Sequence, residues 1–181
     1  MKIPGITTIL LYHFVGKEHV SLDESIKLFI PSDLVNNKWI LEYFPGNICD
    51  KRWQDGNKLF YLVNKDGIPC SFAWFKNDSK HFVGELNKTL IFPYKVNCFF
   101  DCITPIKYRG QGYYPTLINK LSMKELIYPN IIYASSSNRA SNKGILKAKF
   151  ELTHRIFRFL DFVKITGLNN SGINFYAKKI S

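Results

Sequence analysis

Apolar and polar residues alternate at a period near two over much of the chain, with shorter stretches at helical spacing between them, a pattern that predicts strands and helices in mixed order. Ile6 to Val15 reads as a strand. Ser21, with Glu24 three residues on, forms a capping box that predicts a helix around Asp23 to Ile30. Ser32 or Asp33 is placed to cap a second helix through Tyr43, which Pro45-Gly46 stops. Lys58 to Asn64 and Ile68 to Lys76 are β-rich runs on either side of Lys65-Asp66-Gly67, whose Asp-Gly predicts a hairpin. Phe82 to Phe92 and Val96 to Thr104 read as two further strands joined by Pro93-Tyr94-Lys95. Pro105 ends the second of these, and the glycine-rich turn Arg109 to Tyr114 leads into a helix from Pro115 to Leu126. Ile131 to Ala134 is a short strand, Ser137 or Asn138 caps a helix to about Lys149, and Phe150 to Phe162 returns to β. The remainder, with Gly167, Gly172 and Phe175-Tyr176-Ala177, holds a last edge strand.

Composition narrows this to one domain spanning 1–181, of α+β or mixed α/β class. The 181 residues are 46% apolar and include 28 aromatics, enough for a single core, and no repeat or low-complexity linker divides them. No apolar run reaches the roughly 18 residues needed to cross a bilayer, so no membrane insertion is expected. Pro4, His13 and the lack of a small-x-small cleavage site favour a strand over a secretory segment at Ile6 to Val15. Cys49, Cys70, Cys98 and Cys102 are widely spaced, with no Cys-x-x-Cys and no His-x-x-x-His, which fits free thiols in a reducing cytoplasm and no metal. The net charge of +11 attracts anions. The cations are dispersed between apolar residues, so a phosphorylated small molecule explains the charge as well as nucleic acid does, and a solvated basic surface remains the bland alternative.

A strand running into Gly110-Gln111-Gly112 and then a helix leaves backbone N–H groups pointing at one spot, where the helix dipole adds positive potential. That is an anion site in outline. A Rossmann turn is excluded, because no third glycine follows at Pro115 and no acidic residue stands after the next strand. A Walker loop is excluded by the absence of Gly-Lys-Ser/Thr. The residues Thr104 through Tyr113 resemble the acyl-CoA pyrophosphate loop of the GNAT N-acyltransferase superfamily, Gln/Arg-x-x-Gly-x-Gly/Ala after a strand. Downstream, Asn138, Ser141 and Phe150 keep that family's spacing of an Asn, a Ser or Ala three residues on, and a Phe twelve after the Asn. Three positions depart from the family: Tyr114 fills the last Gly/Ala position, Lys149 precedes Phe150 where Gly is usual, and Ile145 stands where many members carry a Tyr that protonates the departing thiolate.

The resemblance implies a GNAT fold, a mostly antiparallel mixed sheet flanked by helices and splayed between the family's fourth and fifth strands, here Val96 to Thr104 and Ile131 to Ala134. It further implies acyl-CoA as co-substrate, held by Cys102, Ile103, Thr104, Arg109, Gly110, Gln111, Gly112, Tyr113, Tyr114, Asn138 and Ser141. Acyl transfer needs a neutral amine and a proton for the thiolate. Candidate bases are Glu85, His81, Asp101, His13 and His154, with Glu85 preferred among them as a mid-strand carboxylate among apolar neighbours, although an exposed structural strand residue is the commoner reading of such a position. The sequence Arg109-Gly110-Gln111-Gly112-Tyr113-Tyr114-Pro115 resembles the loop of the family branch that N-acylates nucleotide-linked amino sugars in surface-polysaccharide biosynthesis, which makes such a sugar the expected acceptor. The rings of Trp39 and Trp53 are the expected flat surfaces for it, against a core-packing alternative for each. A protein or peptide N-terminal acetyltransferase and a degenerate module binding CoA without chemistry are the competing readings. Neither nucleic acid nor metal is an expected partner, and a homodimer is compatible with the sequence.

Overall fold

A computed structural model describes residues 6–16, 24–124, 127–169 and 172–179. Its strands are β1 (Ile6–Phe14), β2 (Ile26–Phe29), β3 (Lys58–Val63), β4 (Pro69–Val83), β5 (Lys88–Ile103), β6 (Asn130–Ser135), β7 (Phe150–Phe159), β8 (Phe162–Gly167) and β9 (Tyr176–Lys178). The helices are α1 (Gly46–Gln54), α2 (Tyr113–Lys124) and α3 (Arg139–Lys147). The strands form one sheet in the order β2-β3-β4-β5-β6-β1-β7-β8, with β9 also on β5. All pairings are antiparallel except β5 with β6. This mixed sheet flanked by helices is the architecture the sequence predicts. The first strand of the chain lies between β6 and β7, and its alternation explains how it survives burial on both faces. Ile9 and Leu11 face one apolar cluster, while Tyr12 and Phe14 belong to the other, on the side of α2 and α3.

Several elements differ from expectation for local reasons. Ser21 and Asp23 lie outside the described residues, but 26–29 form an edge strand and not a helix, with Ile26 and Phe29 buried and paired against Leu62 and Leu59. The expected helix from Ser32 to Tyr43 is two short 3-10 turns, Pro31–Val35 and Lys38–Glu42. The Asp33 carboxylate accepts from the Ile30 amide at 2.9 Å and Asn37 Nδ2 donates to the Asp33 carbonyl at 3.0 Å, bonds that compete with helical ones. Pro45-Gly46 starts a helix, α1, because the Pro45 carbonyl accepts from Ile48 and Cys49 and the proline itself has no N–H to satisfy.

The strand expected over Phe82 to Phe92 is broken by a 3-10 turn at Gly84–Leu86, where Asn87 takes a left-handed φ of 49°. β4 and β5 are therefore the two long arms of one hairpin. Their register slips between Asp78/Val96 and Lys80/Ile91, so Pro93 falls among residues with no β4 partner and costs no ladder bond. The far end of the hairpin folds back over the sheet face opposite α2 and α3. Val83, Leu86, Leu90 and Phe92 pack there with Ile9, Leu11, Ile131 and Ile156. The run from Phe150 to Phe162 is likewise two strands, turned at Leu160-Asp161 with Leu160 at φ 50°.

Candidate functional site

The parallel pairing of β5 with β6 covers only Asn97/Asn130, Cys98/Ile131 and Phe99/Ile132. Beyond Phe99 the two strands part. Asp101 adopts φ 42°, and in the ladder to β4 the pairs Trp74/Phe100 and Phe72/Ile103 set two residues, Asp101 and Cys102, against the single Ala73. This bulge frees backbone polar groups at the split. The opening is a cavity of about 180 Å³ lined by Glu85, Phe100, Asp101, Cys102, Tyr114, Ile132, Tyr133, Ala134, Ser135, Asn138 and Ser141. Ile132 and Ala134 belong to the cluster under α2 and α3, whereas Tyr133 belongs to the opposite one, so the cavity reaches both faces of the sheet.

The glycine-rich turn leads into α2, whose Tyr114 lines the cavity. Gly110 and Gly112 have φ of 79° and 84°, and open space surrounds the position of a Cβ at each. Among the described residues no acceptor pairs with the amides of Gly110, Gln111 and Gly112, and α2 starts at Tyr113 immediately after them. Arg109 Nε donates to the Thr104 carbonyl at 3.0 Å and Gln111 Nε2 to the Lys107 carbonyl at 3.1 Å, which fix the loop by its own backbone and leave its outer rim exposed. Tyr114 turns away from this rim. Its ring lies against Gly144 of α3, and its hydroxyl meets Ser141 Oγ at 3.3 Å. Asn138 caps α3, its side chain accepting from the Ser141 amide at 3.1 Å. Ile145 is fully buried in the core, and Lys149 holds the left-handed φ of 63° that a glycine would take without strain.

The candidate bases separate. Glu85 lies in the exposed 3-10 turn and not in a strand, because the chain reverses at Gly84–Leu86; it borders the cavity on the face opposite α2. The Asp101 carboxylate is hydrogen-bonded by Arg52 Nη2. Arg52, which belongs to no motif in the sequence, lays its guanidinium over the Trp74 and Phe100 rings at 5.0 and 5.2 Å. Burial pushes the Cys102 thiol well above its ordinary range, with the Asp101 carboxylate adding to the shift, so it stays protonated and is no nucleophile. His81 is buried, and burial first, then the nearby Lys76 charge, lowers its pKa to about 3. Its Nε2 lies 3.3 Å from the Tyr133 hydroxyl, itself on the cavity wall. His13 and His154 are elsewhere. Burial lowers both, and His154 Nδ1 bonds Thr153 Oγ1 at 3.0 Å beside a separate depression of about 490 Å³ under the C-terminal segment.

Trp39 and Trp53 lie in an aromatic cluster with Phe29, Phe72 and Trp74, not on the cavity wall: Trp39 is 5.4 Å from Phe72, and Trp53 stacks on Phe29 at 6.2 Å. All four cysteines are free. Among the described residues no three His, Cys, Asp or Glu side chains converge, and no helix is long and apolar enough to cross a membrane.

No protein-family model matches the chain, and no curated protein does. Solved structures do. A structure described as a GNAT-family acetyltransferase from Novosphingobium aromaticivorans superposes with a TM-score of 0.58 over 92% of this chain and 69% of that one, at 13% identity. A GNAT-family acetyltransferase from Colwellia psychrerythraea superposes with a TM-score of 0.56 over 84% of this chain and 55% of that one, at 18% identity. The chain has the fold of these acetyltransferases.

Proposed function

We propose that the chain moves an acyl group from acyl-CoA to the amine of a small acceptor. The observation that carries this is that the split between β5 and β6 and the bulge at Asp101-Cys102 open on a cavity whose wall includes Tyr114, two residues after the row of unpaired amides from Gly110 to Gly112. An anionic diphosphate fits the amide row and the positive end of α2. The pantetheine arm then follows β5 past Cys102, Ile103 and Thr104, with Asn138 and Ser141 on the other wall. A backbone N–H released by the bulge is placed to hold the thioester oxygen as charge develops on it, a contribution typically worth about 2.7 to 4 kcal/mol in acyl-transfer sites. The thioester supplies the activated acyl group. The chain aligns the amine with it, and Glu85, on the far wall, is the side chain we assign to receive the amine proton.

For the acceptor we favour a nucleotide-linked amino sugar. Its second diphosphate would answer the +11 charge, and its amine, flanked by electron-withdrawing groups, is partly neutral near pH 7 without a strong base. The stacking faces expected of Trp39 and Trp53 are taken up by Phe72 and Phe29, so recognition falls to the polar groups around Glu85 and Asp101. The test is thiol release from acetyl-CoA with a nucleotide-linked amino sugar, a free amino sugar, a polyamine and a peptide N-terminus as acceptors. The highest kcat/KM is expected for the nucleotide sugar. A polyamine or peptide winning would replace the acceptor, and no thiol release with any of them would leave a CoA-binding module without chemistry.

A further inference from the structure

Within the cavity, the group with the most elaborate support is neither carboxylate but Tyr133. Its ring sits 5.5 Å from that of His81, and His81 is wedged in turn against Phe100 at 5.0 Å. Burial raises the phenol well above its ordinary range, with Cys98, Glu85, Asp101 and Cys102 adding to the shift, so it carries its proton throughout the neutral range. The imidazole behind it faces Lys76, Asp78 and Arg52 and is neutral as well. Neutral His81 has one N–H to place. Its Nδ1 is buried with no partner among the described residues, and its Nε2 points at the Tyr133 oxygen 3.3 Å away. An unsatisfied buried N–H is the costlier defect, so the proton belongs on Nε2, donated to the Tyr133 oxygen. Tyr133 then has its own proton left to give, and the cavity is where it can give it.

We propose that Tyr133 is the proton donor to the departing CoA sulfur, and that His81 is a positioning residue that turns the phenol proton into the cavity. This rests on the acyl-transfer reading above. Other hydroxyl groups on the wall are placed less well. Tyr114 and Ser141 bond each other on the helix side, and Ser135 Oγ bonds Ser137 Oγ at 2.9 Å. In the step itself the acceptor nitrogen forms its bond to the acyl carbon, and the C–S bond breaks with its electron pair passing to sulfur. The Tyr133 proton moves to that sulfur, leaving a phenolate that accepts the His81 N–H. The proton shed by the acylated nitrogen passes through Glu85 and water to the phenolate, which restores the phenol.

The same hydrogen bond should stabilise the thiolate of bound CoA with no acceptor present, and this provides the test. The thiolate of CoA bound to the full chain is titrated by its ultraviolet absorbance against pH, in the parent, Tyr133→Phe, His81→Gln and His81→Leu, alongside CoA affinity. In the parent the thiol should titrate about one to two pH units lower than in Tyr133→Phe, the size of one hydrogen bond to a charged group, while CoA affinity changes less than threefold. His81→Gln, which keeps a side-chain N–H, should retain most of the shift, and His81→Leu should lose most of it. A structural role alone would move affinity or folding but not the thiol titration. Equal titration in parent and Tyr133→Phe, with CoA bound by both, overturns the proposal and leaves the acyl-CoA reading standing. Failure of the parent to bind CoA overturns both. Should Tyr133→Phe not fold, the two His81 variants decide by the same criterion, equal titration counting against the proposal.

Discussion

His81 shows how a single buried residue ties stability to pH. Its imidazole takes a proton near pH 6.5 in an unfolded chain but only near pH 3 in the folded protein, because protonation would place a charge between Phe100 and Tyr133 and near Lys76. Between those values the unfolded state binds more protons. This contribution to stability is therefore complete above about pH 6.5 and falls as pH drops toward 3, by up to about 1.4 kcal/mol per pH unit. His13 and His154, also lowered by burial, add slopes of the same sign. Replacing His81 by Gln should flatten the decline of the urea midpoint between pH 6.5 and 4.5 while leaving the other two contributions in place. Parallel declines in parent and variant would show that His81 is not buried as described.

At the scale of elements, α2 and α3 are locked together by a large residue meeting a missing side chain. A Cβ on Gly144 would come within 2.6 Å of the Tyr114 ring, so Gly144→Ala should destabilise by about 1 to 3 kcal/mol. In a Tyr114→Ala background the same change should cost less than half as much, as a double-mutant cycle of chemical denaturation would show. Additive costs would contradict the contact. Tyr114 was legible in the sequence as a departure from a Gly/Ala position, but its partner was not, because Gly144 meets it only through tertiary packing. Other elements divide the same way. The Asp66-Gly67 hairpin, α2 behind its glycine turn and the Asn138 cap carry their signals within a few residues, and all three are present. Strand β2 and the bent β4–β5 hairpin depend on pairing partners distant in the chain. No local pattern told that Glu85 would stand in a turn, that Arg52 would reach Asp101, or that His81 would meet Tyr133 across a folded-back arm.

For the molecule as a whole, the placement of β1 between β6 and β7 closes one side of the sheet and leaves the split between β5 and β6 as its main breach. The net charge of +11 draws anions toward the chain, and the unpaired amides from Gly110 to Gly112 offer a fixed place for one just ahead of Tyr114, which lines the cavity at that breach. The central claim is that this place receives the diphosphate of CoA. Calorimetric titration of CoA into the parent and Gly112→Asp, with the folding of each checked by circular dichroism, tests it most directly. The carboxylate would stand in open space at the cradle, where it meets the incoming phosphates, so affinity should fall by at least about tenfold, or roughly 1.4 kcal/mol. A dissociation constant unchanged in a folded variant, or no binding of CoA by the parent, would contradict the account.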